Sequence, residues 1–236
     1  MNKIIAVNYM SALPCPISQS PESELDAFCN NTFKHEMGKL IAISVIANLL
    51  KVDRSDINFT KNAYGKPTLA GQEGHVLDFN LSYTGSWIFL AISTEANIGI
   101  DAELIEPINI DTASEFCVGR EIKMIKSNPD KSIENYYKLW TLRESFLKIM
   151  GVGLSYPIKN IEFIFNKDRI KFYNKNKVVD GYFFKVYKLQ NILISLCIRN
   201  KNFPEKIEVY NSLDSFNQAF NKNQYQNVKN YAEATT

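Results

Sequence analysis

Ile98-Gly99-Ile100-Asp101-Ala102-Glu103 decides how this chain folds, because acids alternate in it with small and apolar residues at a period of two. On a strand that period places Asp101 and Glu103 on one face and Ile100 and Ala102 on the other, so one side is acidic and the other is built for burial. Further along, Trp140-Thr141-Leu142-Arg143-Glu144-Ser145-Phe146-Leu147-Lys148 reads as helix. Residues four apart stack on a helix, which lines up Trp140, Glu144 and Lys148, and Gly151-Val152-Gly153 supplies a stop after Met150. If strand and helix pack together, Glu144 joins Asp101 and Glu103 as a third oxygen donor. Hard cations such as magnesium take oxygen sets of that kind and leave their other positions to water or substrate phosphate.

Composition bounds the rest. With 236 residues, 45% hydrophobic and 22% charged, the chain is long enough for one large domain or two small ones with a core. A formal net charge of +2 lacks the concentrated basic face expected of a nucleic-acid protein. Cys15, Cys29, Cys117 and Cys197 form no close pair, and His35 and His75 lie apart from them, which suggests neither a zinc site nor a disulfide framework. No stretch approaches the length of an apolar membrane span, and the residues from Met1 to Tyr9 do not read as a leader, so a cytoplasmic protein with reduced thiols is expected, with no nucleic-acid and no membrane partner.

The order of elements is that of an α+β protein. Ile4 to Tyr9 reads as a strand and Ser11 to Pro21, with three prolines, as a loop. Apolar residues at helical spacing predict a helix over about 36–50, followed by short strands around Asn58 and Thr68, at 77–83, 87–93 and 98–103. Thr84-Gly85-Ser86 reads as the turn of a hairpin. Helices are expected near 111–126 and over 133–150, then strands at 161–165, 169–173, 182–187 and 192–198. Helices paired with antiparallel strands, rather than alternating βαβ units, give two subdomains over 1–106 and 107–212. Residues 213–236, rich in Asn, Gln and Lys, read as a polar tail, a marginal helix or disordered.

Four segments in order, Tyr64-Gly65-Lys66-Pro67, Phe79-Asn80-Leu81-Ser82-Tyr83-Thr84-Gly85, Ile98 to Glu103, and Trp140 to Lys148 with Gly151-Val152-Gly153-Leu154, resemble the 4′-phosphopantetheinyl transferases of the larger, broad-specificity type that activates peptide and polyketide synthases. The resemblance implies a monomer of two similar subdomains related by a pseudo-two-fold axis, each a small antiparallel sheet packed with helices. It also implies a reaction: the phosphopantetheine arm of coenzyme A passes to a serine of an apo carrier protein of nonribosomal peptide, polyketide or fatty acid synthesis, releasing adenosine 3′,5′-bisphosphate with magnesium at the pyrophosphate. Asp101, Glu103 and Glu144 match the family's metal-binding acids, with Glu144 also the group that takes the serine proton. Lys148 matches a lysine that contacts phosphate and assists the leaving group. Lys66 and Ser82 match positions that bind coenzyme A phosphates. Tyr83 stands where the family commonly has histidine, a group that can become cationic near neutral pH as tyrosine cannot. Of the family's basic cluster for the nucleotide 3′-phosphate, Lys34 and His35 remain.

Each residue has a plainer reading as well. Asp101 and Glu103 could be solvent-facing acids, and Glu144 with Lys148 a surface helix pair worth about 0.3–0.5 kcal/mol. Lys66 could be a turn lysine and His35 a cap. Arg143 reads equally as a surface charge or a phosphate contact, and Glu121 as an acid on a solvated face. The competing functions are another magnesium-dependent phosphoryl or nucleotidyl enzyme, and a catalytically weak coenzyme A or carrier-binding module of the same fold. Three like charges gathered for no purpose would repel one another, which favours the enzyme.

Overall fold

The computed structural model describes residues 1–9, 24–71, 77–166 and 169–220. The expected 11–21 loop lies outside them. The chain runs β1 (Asn2–Asn8), α1 (Glu24–Leu50), β2 (Phe59–Lys61), β3 (Pro67–Leu69), β4 (Asp78–Thr84), β5 (Trp87–Ser93), β6 (Ile98–Leu104), α2 (Gly119–Lys126), α3 (Pro129–Met150), β7 (Ile161–Asn166), β8 (Arg169–Asn174), β9 (Lys177–Val178), β10 (Phe183–Leu189), β11 (Ile192–Ile198), β12 (Ile207–Tyr210) and α4 (Leu213–Phe220). This is the α+β architecture read from the sequence, with small, mainly antiparallel sheets.

One order of elements occurs twice. A leading strand, a long helix, a small hairpin and a long hairpin follow each other as β1, α1, β2-β3, β4-β5 and again as β6, α3, β7-β8, β10-β11. In each unit the last strand of the long hairpin pairs antiparallel with the leading strand, giving β4-β5-β1 and β10-β11-β6. The first sheet gains a fourth strand from β12, which pairs parallel with β1. Thus part of the 107–212 stretch completes the first sheet. Part of the expected tail follows it, because α4 buries Leu213 and Phe216 in the core that α1 makes with that sheet.

The two sheets face each other through a shared apolar layer. Ile4, Ala6 and Phe89 of the first meet Ile98, Ile100, Ala102 and Ile194 of the second, all essentially inaccessible to solvent. The apolar face expected of Ile100 and Ala102 is therefore real. α1 covers the outer side of the first sheet and α3 that of the second, where it also contacts the β7-β8 hairpin.

Along one edge the sheets are joined without a backbone ladder. Alternate side chains of β4 take the place of a strand: Asp78 accepts from the Ile98 N–H (2.9 Å), Asn80 from Ile100 (2.9 Å), Ser82 from Ala102 (3.1 Å) and Thr84 from Leu104 (2.9 Å). Buried N–H groups need acceptors, and the polar alternation Asp-Phe-Asn-Leu-Ser-Tyr-Thr supplies one at every second residue. This seam fixes β6, and with it Asp101, against β4.

Two expectations need correction at the helices. The region expected as one helix over 111–126 is a short 3₁₀ turn, Ile110–Glu115, and then α2, because Phe116 and Cys117 turn inward to the core between them. α1 begins at Glu24 rather than near 36, since apolar periodicity appears only where the helix meets the sheet. α3 is capped as its sequence suggests: the Asn128 side chain accepts from the Asp130 N–H, Pro129 opens the first turn, and Gly151 at φ 66° ends it. No helix among the described residues is long and apolar enough to cross a membrane.

Candidate active site where α3 meets the sheet seam

β6 and α3 touch very closely at Gly99. A Cβ there would strike the backbone oxygen of Ser145 and lie 2.6 Å from the Ile149 nitrogen, so only glycine lets the helix lie this near the strand. Small polar residues continue the contact, with Thr141 and Ser195 joined hydroxyl to hydroxyl at 2.7 Å. That approach carries the outer face of β6 to the Glu144 and Lys148 turns of α3.

The sequence residues Asp101, Ser82 and Lys148 meet there. The Lys148 ammonium donates to Asp101 Oδ1 at 2.6 Å and to Ser82 Oγ at 3.1 Å. Ser82 in turn donates to the same Asp101 oxygen at 3.1 Å. Asp101 is only 4% exposed, so this is no solvent-facing acid. Glu103 lies two residues on, on the same face, held by the Trp140 indole N–H. Both Glu103 and Glu144 are pushed up to about 7, chiefly by burial and next by the charge of Asp101, while Lys148 works in the opposite direction. Glu103 also feels Glu144, so the three carboxylates share one electrostatic field.

Asp101 Oδ2 and Glu144 Oε1 are buried without any hydrogen-bond partner. Leaving a buried carboxylate oxygen unpaired costs about 1–3 kcal/mol or more, and a cation removes that cost. Among the described residues no three His, Cys, Asp or Glu side chains stand close enough to enclose an ion as arranged. The ammonium of Lys148 lies against Asp101 instead. The orphaned oxygens and the hard, all-carboxylate donor set nevertheless fit a divalent cation such as magnesium.

A groove of about 590 Å³ opens on the other side of β4, between α1 and the β2-β3 hairpin, with His35, Lys39, Lys61, Phe59 and Tyr83 among its walls. Tyr83 packs edge-on against His35, ring centroids 4.9 Å apart, and burial together with Glu36 pushes its phenol up to about 12. It stays neutral there. Lys34 is half-buried on α1 and is not among the residues that line the groove. Ser82 does not open into the groove; it is 3% exposed and engaged in the seam. Lys66 is paired with Asp78 (3.3 Å), and its turn is tied to the end of α3 by Asn62, whose side chain donates to the Gly151 carbonyl at 2.9 Å. The sequence reading missed Lys39, Lys61, Asn62 and Asp78. Lys39 had a visible signal, since it lies one helical turn after His35.

Arg143 and Glu121 correct both readings given for them. Each is buried to 1% or less of its surface, and they form an ion pair with each other. Arg143 also donates to the carbonyls of Phe116, Leu139 and Ile161, and Glu121 accepts from the Phe163 and Val118 N–H groups. With all three guanidinium nitrogens engaged, the pair ties α2, α3 and β7 together and is neither a surface charge nor a phosphate contact.

The chain that carries this site matches known proteins along most of its length. Residues 97–197 match the family described as the 4′-phosphopantetheinyl transferase superfamily, and residues 15–95 match its N-terminal region model. The chain belongs to the 4′-phosphopantetheinyl transferase superfamily. It is 29% identical over 174 residues to the 4′-phosphopantetheinyl transferase Sfp of Bacillus subtilis (strain 168), covering 72% of this chain and 76% of that one. To the transferase ffp of Bacillus subtilis it is 26% identical over 208 residues, 81% and 92% of the two chains. The human L-aminoadipate-semialdehyde dehydrogenase-phosphopantetheinyl transferase is 29% identical over 138 residues, 53% of this chain and 45% of the human one. The holo-[acyl-carrier-protein] synthase structure of Thermotoga maritima aligns over 43% of this chain and 61% of its own, at 16% identity and a TM-score of 0.36, a likeness too slight to argue from.

Proposed function

We propose that this protein transfers the 4′-phosphopantetheine arm of coenzyme A to a serine hydroxyl of an apo carrier domain of a nonribosomal peptide, polyketide or fatty acid synthase, with adenosine 3′,5′-bisphosphate leaving. The observation that carries this reading is the meeting of Asp101 and Lys148 beside Glu144, with two buried carboxylate oxygens left unpartnered. Asp101, Glu103 and Glu144 would hold magnesium, which when bound offsets the charge of the pyrophosphate.

The protein's own residues supply the rest. The serine oxygen attacks the phosphorus bearing the pantetheine arm, the bond from that phosphorus to the bridging oxygen breaks, and the nucleotide departs with the bond's electrons. Glu144, on the α3 face that meets Asp101, is placed to accept the serine proton. Lys148 is one helical turn away and brings positive charge, or a proton, to the departing oxygen. Lys39, Lys61 and His35, which line the groove, offer positive or hydrogen-bonding groups to the nucleotide phosphates, with Lys66 and Lys34 as further candidates outside its lining. Tyr83 donates a hydrogen bond as a neutral phenol.

The test is to mix purified protein with coenzyme A, magnesium and apo carrier domains from the three synthase classes, and to weigh each carrier intact. Covalent gain of the phosphopantetheine arm is expected. Carriers of all three classes left at their apo mass would overturn the proposal.

A further inference from the structure

Lys148 holds a place that its expected contact with phosphate does not explain. Its ammonium sits 2.6 Å from Asp101 Oδ1, fastened by Ser82 at 3.1 Å, while the other Asp101 oxygen and one Glu144 oxygen are buried without a hydrogen-bond partner. Asp101 is 6% exposed at its side chain and Lys148 27%, so the ammonium reaches in from the more open side. A buried carboxylate with two half-buried ones near it needs compensating charge, and in this arrangement Lys148 supplies it.

We infer that Lys148 is a resident counter-ion that competes with a divalent cation for Asp101, and that it thereby couples metal binding to coenzyme A binding. This rests on the metal-site reading of the three acids. While the ammonium is on Asp101 the cation meets a site already partly neutralised, and binds weakly. A pyrophosphate in the site offers Lys148 an anionic partner of its own. The side chain turns to it, Asp101 is released, and cation and coenzyme A then favour one another. Such coupling is reciprocal, so each ligand tightens the other by the same factor. Ser82 sets the balance, because its hydroxyl bonds both members of the pair.

The experiment measures free Mn²⁺ by electron paramagnetic resonance during titration of the wild-type protein and of Lys148→Met, each with and without coenzyme A. For Lys148→Met without coenzyme A, Mn²⁺ affinity is expected to rise about tenfold, and the further tightening given by coenzyme A to shrink relative to wild type. Lys66→Met serves as a charge control, since it removes an ammonium paired to Asp78 rather than to Asp101; its Mn²⁺ affinity without coenzyme A should stay within about twofold of wild type. Lys148→Gln, polar and close in length, replaces the methionine variant if that one unfolds. Unchanged or weaker Mn²⁺ binding in the Lys148 variants overturns the competition while leaving the metal site standing. Wild-type protein that binds no Mn²⁺ even with coenzyme A overturns the metal site itself, and the two failures are distinct.

Discussion

The leading strands of the two units, β1 and β6, occupy equivalent places and differ where it matters. The fourth residue of each faces the unit's long helix: Ile5 in β1, opposite Leu90, and Asp101 in β6, opposite Ser195. The sixth is Val7 in one and Glu103 in the other. In the first unit these positions join Ile41, Val45 and Ile46 in an apolar core. In the second they meet Lys148 and the field of Glu144. The opposite faces of the two strands, Ile4 and Ala6 against Ile100 and Ala102, keep the same apolar task between the sheets. One frame therefore holds an apolar core in one unit and a charged cluster in the other, a contrast that falls on one face of the leading strand and the helix turns above it.

Exchanging roles between the units is the strongest way to break that comparison. Glu144→Gln and Asp101→Ala are expected to lower transfer to a carrier domain by about a thousandfold or more, since each removes a charged group from the reacting centre. Glu144→Gln should melt at or above wild type, because it relieves repulsion with Asp101, whereas Asp101→Ala should melt lower, because it leaves the Lys148 ammonium and the Ser82 hydroxyl without their partner. Ile5→Ala at the equivalent strand position should instead lose about 3 kcal/mol of stability while kcat/KM below the melting range stays within about twofold. Single-turnover carrier loading and thermal unfolding of the three variants check this. Normal loading by Asp101→Ala would remove the distinction between the two faces.

A second contrast lies in two glycines at close approaches. At Gly99 an added Cβ meets the backbone of α3 at Ser145 and Ile149, which cannot yield without moving the helix that bears Glu144 and Lys148. At Gly38 of α1 it meets only the Tyr83 ring, whose hydroxyl end lies nearest. Gly99→Ala should cost about 3 kcal/mol or more, together with most of the activity. Gly38→Ala should remain within about 1 kcal/mol of wild type, because the gain in helix propensity offsets the displaced ring. Urea unfolding curves of the two variants measure the difference, and equal losses would show that Tyr83 is held as rigidly as the α3 backbone.

These contrasts also explain what could be read from the sequence. Asp101, Glu103, Glu144 and Lys148 were legible because strand and helix periods assign faces locally, and the polar spacing of each face is written within a few residues. The long strands and α3 were legible for the same reason. β12 was not, since its four residues have no use until β1, some two hundred residues earlier, offers an edge. α4 had a local signal in Leu213, Phe216 and Phe220, which the surrounding Asn and Gln obscured. Arg143 and Glu121 were misread because a charge in sequence does not reveal a partner on another element; burial of both follows from tertiary packing alone. The acceptor role of Asp78, Asn80, Ser82 and Thr84 was hidden likewise, because a polar strand face looks solvent-exposed until the neighbouring strand is known.

A last contrast is the pH dependence of stability, which should differ between the units because the first has no acid at its equivalent positions. In the metal-free protein Glu144 and Glu103 titrate near 7 when folded, against a usual 4.5. A folded state that binds the proton more tightly is favoured wherever the proton is present, so the contribution is complete below about 4.5 and is lost as pH rises through about 7. Stability in the presence of a chelator should therefore fall between about pH 5 and pH 8. Glu144→Gln, which cannot titrate, should flatten that slope, and adding Glu103→Gln should flatten it further. Ile5→Ala should lower the curve at every pH and leave its slope as it was. The check is a set of urea midpoints at four pH values for each variant. A Glu144→Gln slope equal to that of wild type would mean that Glu144 holds no extra proton, and the second unit would then resemble the first in electrostatics as well as in fold.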